Sequence, residues 1–200
     1  MESSSSSAQP AEVAADAETQ IMLRFAGGDR AAFVELVDLC QAGLIQYFVY
    51  LTRNRATAED LAQEVFLRIF QSAAGYQPRA RFRTWLFRIA RNLWIDHCRR
   101  EHHQARQVSL DAADGDGIAL GATLPAADTR AAGRSEEGES LRRAIAQLPE
   151  EQREVVLMSQ IQGMMYEEIA QTLEIPVGTV KSRMHHALKR LRAILERTGS

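Results

Sequence analysis

Cysteine is scarce in this 200-residue chain. Cys40 and Cys98 are the whole supply, too few and too far apart for a disulfide framework. Cys40 falls in an apolar helical pattern, where a free thiol behaves as a small hydrophobe, so a reducing compartment is expected. No run of apolar residues approaches the ~20 needed to cross a bilayer, and no membrane span is expected. The amino terminus is serine-rich and acidic instead of basic and then apolar, which excludes a secretory leader and leaves a cytoplasmic protein as the expectation. A Gly-rich phosphate loop is also missing. Glu150-Glu151 and Glu167-Glu168 are the paired carboxylates, and both fall on helical patterns whose acidic faces have structural explanations. The expectation is therefore no enzyme and no cofactor. His97, Cys98, His102 and His103 lack a paired Cys-x-x-Cys and lie in an Arg-rich helical pattern, so no metal is expected. No β alternation is present, so the fold class expected is all-α.

What is present is charge, and it is segregated. The formal net charge of −2 is a cancellation. Residues 79–106 hold eight Arg against Asp96 and Glu101, a balance of +6. Residues 177–197 reach +5, and residues 107–140, with seven acids, fall to −5. Distribution, and not net charge, bears on nucleic-acid binding.

Apolar spacing divides the chain further. Residues 1–17, with five consecutive Ser and no aromatic, have too little apolar surface to offset ordering entropy and are expected to form a disordered tail. From Ile21 the pattern is helical, ending at Gly27-Gly28, with Asp29 capping the next helix. Thr57 is expected to open a third helix, with Leu61, Val65, Phe66, Ile69 and Phe70 as its core face. A fourth runs from about Arg83 to Arg100 with Trp85, Leu86, Ile89, Ala90 and Leu93 inward. Residues 106–137 show no sustained period and are expected to form a flexible acidic linker. Helical signal returns at Ser140, and Pro149 suits the first position of a new helix. The expectation is two small helical domains, 18–105 and 138–197, on a tether.

The segment Tyr166 to Leu191 has the spacing of a helix-turn-helix. Ile169, Ala170 and Leu173 mark one face of a first helix, Ile175 and Pro176 the turn, and Val177, Val180, Met184, Ala187, Leu188 and Leu191 the apolar side of a second. The opposite side presents Thr179, Ser182, His186 and Lys189, flanked by Lys181, Arg183 and Arg190. Those are the groups that read base edges and phosphates in a major groove. In the first domain, Asp60, Gln63, Glu64 and Leu67 form a stripe that the third helix's core residues leave free. The fourth helix interleaves Arg83, Arg88, Arg91, Arg99 and Arg100 with Trp85, Phe87, Trp94 and the amide Asn92. Cations beside rings suit single-stranded nucleic acid, because cations follow the backbone while rings receive unstacked bases. The alternative is that both Trp residues belong to the core, Trp85 above all.

Taken in order, FAGGDRAAFVELV, ATAEDLAQEVFLRIF and FRTWLFRIARNLWIDHCRR, then LPEEQREVVLM and YEEIAQTLEIPVGTVKSRMHHAL, resemble the extracytoplasmic-function class of bacterial RNA polymerase sigma factors. The resemblance covers about residues 20–103 and 139–195. It implies a promoter-specificity subunit with family regions 2 and 4 and without the domain between them. By similarity, Asp60, Gln63 and Glu64, with Leu67 beside them, would dock on the clamp helices of core RNA polymerase. The Arg83 to Arg100 helix and the loop after it would recognise and melt the minus-ten element through Arg83, Arg88, Arg91, Asn92, Trp94, Arg99 and Arg100, with Asn92 near a flipped-out base. Thr179, Lys181, Ser182, Arg183, His186, Lys189 and Arg190 would read the minus-thirty-five duplex. Members of the family often carry Arg near His186, so this contact is expected to be weaker or aimed at another base. The implied partners are core polymerase and promoter DNA, duplex and melted, with an anti-sigma factor as a further candidate. The rival reading is a stand-alone helix-turn-helix regulator, which leaves the first domain and the acidic tether without a role.

Overall fold

The computed structural model describes residues 16–111 and 136–198. Within them run α1 (Ala17–Ala26), α2 (Arg30–Thr52), α3 (Arg55–Ser72), α4 (Phe82–Asp111), α5 (Glu136–Ala146), α6 (Glu150–Val156), α7 (Tyr166–Leu173) and α8 (Val177–Thr198), with no strand among the described residues. The all-α expectation holds. Most of the expected tail and of the expected acidic linker lies outside the described residues. The linker's expected start is corrected, because residues 106–111 continue α4. No Gly or Pro interrupts the chain between Arg106 and Asp111, and a helix already nucleated propagates through such a stretch at little cost.

Caps set the early boundaries. Asp29 accepts from the Ala31 and Ala32 backbone N–H groups at 3.0 and 3.4 Å, and Arg24 donates to its other carboxylate oxygen at 2.6 Å. Asn54, not Thr57, caps α3, with its Oδ1 accepting from Ala56 and Thr57 N–H at 2.9 and 3.3 Å. The helix therefore begins at Arg55, two residues before the expected start. An amide reaching its own N2 and N3 donors is as good a cap as a hydroxyl, and it comes first in the chain.

The first domain packs α1 and α3 around α2, with α4 closing the bundle. Leu36, Leu44, Tyr47 and Phe48 from α2 meet Ile69 from α3 and Leu86, Phe87 and Leu93 from α4 in its core. Tyr47 makes edge contacts with Phe48 at 5.4 Å and Phe87 at 5.2 Å, and each such side chain contributes about 1.5–3 kcal/mol on burial. By length and composition α2 could cross a membrane, at a mean hydropathy of 1.4, although Glu35, Asp38 and Gln41 interrupt its apolar run. Its apolar character has a local cause: it is the central helix, touched by α1, α3, α5 and the turn after α6.

In the second domain α6 runs into one π-helical stretch, Leu157–Ile161. The chain then reverses at Gly163, whose φ of +66° suits glycine, and enters the helix-turn-helix. Ile169, Ala170 and Leu173 of α7 bury against Val180, Met184, Ala187 and Leu191 of α8, as the spacing predicts. Two residues placed on core faces by periodicity are not in the core: Phe70 is 51% and Leu188 51% exposed. The domains touch each other, α4 against α7 and α2 against α5 and the π-helical stretch.

Candidate nucleic-acid interface

The exposed side of α8 carries Lys181, Ser182, His186, Lys189 and Arg190 in the open, with Thr179 half-buried at its start. Arg183 sits among them but is engaged, its guanidinium 2.8 Å from the Glu151 carboxylate at the start of α6. That carboxylate is 70% exposed, so the pair is of the weak surface kind, and a phosphate or base edge can take its place. The expected duplex-reading set is thus brought together on one face of one helix.

On α4 the expected set is divided. Arg88, Asn92, Arg99 and Arg100 are exposed. Arg83, Arg91 and Trp94 are not free. Arg83 forks onto Glu18 at 2.5 Å and donates through Nη1 to the Gln162 carbonyl at 2.9 Å, and the Glu18 hydrogen bond raises its pKa further. Arg91 pairs with Glu154 at 3.1 Å. Burial holds the Glu154 carboxyl above the ordinary carboxylate range, although Arg91 pulls it down. Trp94 is only 8% exposed, its indole N–H donating to Glu150 at 3.3 Å. Expected on the nucleic-acid side, it lies in the core, because the second domain covers it. Trp85, expected in the core, is only partly buried.

Trp85 instead lines a pocket of about 460 Å³ that sequence reasoning missed, together with Tyr76, Gln77, Arg79, Thr84 and Arg88. The pocket lies before α4, between the 3₁₀ turn Ala73–Gly75 and the first turns of α4. The expected loop after the helix is not its location, since the chain there is still helical. Tyr76 and Trp85 hold each other at 5.0 Å with rings tilted by 55°, and Phe82 supports Trp85 at 5.9 Å. The Thr84 hydroxyl, in the pocket wall, is buried without a hydrogen-bond partner. Aromatic rings and two arginines are what an unstacked base with its phosphate would need. Asn92, one turn beyond Arg88, does not line this pocket. The signal that could have located it was present: Tyr76, Arg79 and Arg81 precede Trp85 within ten residues.

The stripe on α3 is open. Asp60 and Gln63 are exposed, Glu64 is half-buried and pairs with Arg68 at 3.1 Å, and Leu67 is 49% exposed beside Phe70. This adds an aromatic to the expected docking residues. Phe70 packs one ring against Phe25 and Phe33 at 5.4 and 5.2 Å and leaves half its surface to solvent. Midway along α4, His97 stacks near Trp94 at 5.7 Å and approaches Glu101 at 3.8 Å.

Comparison with known proteins gives the same order of parts. Residues 36–104 match the family described as Sigma-70 region 2, and residues 138–191 match Sigma-70, region 4. The chain is 36% identical over 178 residues to the ECF RNA polymerase sigma factor SigE of Mycolicibacterium smegmatis, covering 88% of this chain and 67% of that one. It is 32% identical over 168 residues to SigW of Bacillus subtilis, covering 82% and 89%. In fold it resembles the sigma factor RpoE of Bartonella quintana, solved with the anti-sigma factor NepR, at a TM-score of 0.65 and 22% identity over 82% of this chain and 96% of that one. CnrH, solved with the cytosolic domain of CnrY, gives a TM-score of 0.64 at 23% identity over 91% and 99%.

Proposed function

We infer a division of labour among named residues from one premise: the chain belongs to the extracytoplasmic-function class of RNA polymerase sigma factors, which direct core polymerase to promoters. In our reading α8 takes the minus-thirty-five duplex in the major groove through Thr179, Lys181, Ser182, Arg183 and His186, with Lys189 and Arg190 on phosphates. The pocket before α4 receives an unstacked base of the minus-ten strand on the Trp85 ring, which Tyr76 braces from the side, and Arg79 and Arg88 hold its phosphates. Arg99 and Arg100 continue the basic track. Asp60, Gln63, Glu64, Leu67 and Phe70 dock on core polymerase. The chain supplies recognition and base capture, bond chemistry remains with the polymerase, and the place of action is the cytoplasm, where polymerase is. An anti-sigma factor is a further partner we propose.

The observation that carries this reading is the coexistence in one chain of two different nucleic-acid surfaces. A helix-turn-helix face of cations and hydroxyls suits duplex, and a pocket of rings and arginines suits a base out of its stack. A stand-alone regulator has use for the first only. The test is reconstitution of the full chain with purified core polymerase on a promoter library, with permanganate probing of thymines. Promoter-specific transcripts with reactive thymines near minus ten are expected. Duplex binding without melting, at any promoter in the library, would refute the role of the pocket.

A further inference from the structure

Arg153 in α6 is half-buried and stands on no carboxylate. The other half-buried arginines among the described residues, from Arg68 to Arg183, each pair with one. Arg153 instead donates through Nη2 to the carbonyls of Ala146 and Leu148, at 2.8 and 2.9 Å. Glu150, the acid whose charge it feels, is turned to the Trp94 indole N–H. A second arginine comes to the same place. Arg53, just past the end of α2, donates through its own Nη2 to the Ala146 carbonyl at 3.4 Å, so two guanidinium groups converge on one oxygen. Arg53 pairs with no carboxylate either, and the Nη1 groups of both side chains donate to nothing among the described residues.

Like charges held this close repel each other. Burial first, and then the charge of Arg53, hold Arg153 below the ordinary arginine range. The partial negative charge at the carboxyl end of α5 suits a cation, and Arg153, with two carbonyls, already supplies it. Arg53 is left over. Its backbone adds a further cost, because it takes the left-handed conformation at φ 56°, where glycine is the usual choice beyond a helix end. Glycine would end α2 with less strain, so the use of an arginine at this position lies in its guanidinium.

We propose that Arg53 and Arg153 form a binding site for a phosphoryl dianion, either inorganic phosphate or the terminal phosphate of a small ester. A planar carboxylate is satisfied by one guanidinium fork. Two forks arriving from different elements suit an anion whose oxygens face several directions, and tetrahedral phosphate has them. Neither residue belongs to α8 or lines the pocket before α4, so the site is separate from both nucleic-acid surfaces.

The test uses the full chain without polymerase. Thermal melting by circular dichroism and titration calorimetry are run with inorganic phosphate, and separately with adenosine 5′-diphosphate, against sodium chloride at matched ionic strength. Phosphate at about 10 mM should raise the melting temperature by a few degrees beyond chloride, because a ligand that binds only the folded state stabilises it. Arg53→Gln should lose about fivefold or more in phosphate affinity, and Arg143→Gln, on the exposed side of α5, should lose none. In chloride alone Arg53→Gln should melt no lower than wild type, since a repulsion is removed and Arg153 still caps α5. Tighter binding of the diphosphate than of phosphate supports the site with an ester as its ligand, and the reverse order supports it with free phosphate. A wild-type response to phosphate no larger than to chloride overturns the site, as does unchanged phosphate affinity in Arg53→Gln. A clear drop in the melting temperature of Arg53→Gln in chloride makes Arg53 a helix cap and overturns it as well.

Discussion

Trp85→Ala tests whether the pocket before α4 captures a base. The indole is braced by Tyr76 at 5.0 Å and Phe82 at 5.9 Å, so it is held as a platform and not free to fold away. Losing these two ring contacts costs stability of about 0.5–1.5 kcal/mol each, which lowers the melting temperature but leaves the second domain untouched. Losing the stacked base costs a further ~1–3 kcal/mol, roughly 5- to 150-fold in the stability of the open complex. The two losses are separable, because only the second depends on DNA being melted. With holoenzyme at saturating core polymerase, Trp85→Ala should bind the minus-thirty-five duplex as wild type does and show weak permanganate reactivity near minus ten. Premelting that segment with mismatches removes the unpairing cost and should restore part of the reactivity, while Trp85→Phe, which keeps a ring, should stay near wild type. Wild-type reactivity and open-complex lifetime from Trp85→Ala on fully paired promoters would refute the argument. The base would then have to be sought elsewhere, with exposed Asn92 the next candidate and Asn92→Ala the same experiment.

Docking through α3 predicts that Asp60→Ala with Gln63→Ala competes poorly with wild type for limiting core polymerase. Leu67→Asp should lose about fivefold on its own, since the exposed half of that side chain is worth ~1 kcal/mol on burial; equal competition by all three changes would leave the stripe as solvated surface. On α8, Arg183→Ala should lose discrimination at one minus-thirty-five position by ~1–3 kcal/mol, whereas Lys189→Ala should weaken every sequence and flatten the salt dependence. Uniform losses for Arg183→Ala, measured against single-base substitutions, would reduce it to a phosphate contact. The thiols offer a probe of the contact between the domains. Burial pushes Cys40 up to about 12 and Cys98 up to about 11, and Glu150 adds to the second shift. Both should alkylate slowly at pH 8, because little thiolate is present so far below either value. Glu150→Gln, which removes that charge, should speed Cys98 and not Cys40, as mass spectrometry of iodoacetamide adducts would show. Equal rates for Cys98 in variant and wild type would mean that Glu150 does not govern that thiol.

How far the sequence could be read depended on how local each cause was. The break at Gly27-Gly28 with the Asp29 cap, the helix-turn-helix register, and the basic face of α8 all follow from residues within a few turns of one another, and all stand as expected. The start of α3 was misplaced although its cause is local, because Asn54 and Thr57 are both good caps and the choice between them depends on where the preceding helix stops. Here it stops at Arg53, a non-glycine residue in the left-handed region at φ 56°. Phe70 and Leu188 follow helical periodicity faithfully and are still exposed. Period identifies a face that can be buried without saying that anything covers it, and on Phe70 the covering surface we propose is another protein.

The exchange of the two tryptophans shows the limit most clearly. Spacing along α4 places Trp85 on the apolar stripe and Trp94 among the cations, and within the helix that is a fair description. What engages Trp94 is Glu150, 56 positions on in the chain, and what opens Trp85 is a loop that ends before the helix begins. The same non-local cause acts on the arginines. A pattern of cations and rings identifies the chemistry a surface can perform, and Arg91 beside Trp94 reads as a nucleic-acid contact by that standard. Whether the surface is available is decided by the rest of the chain. Glu154 lies outside every basic segment and within a helix whose acids already have a local use near its start, so nothing in its neighbourhood marks it as a partner of Arg91. Local pattern therefore overstates how much of a binding face is free in a protein of two mutually complementary domains. The excess has a definite location: Arg91 and Trp94, which pattern assigns to DNA, are the groups that Glu154 and Glu150 of the other domain engage.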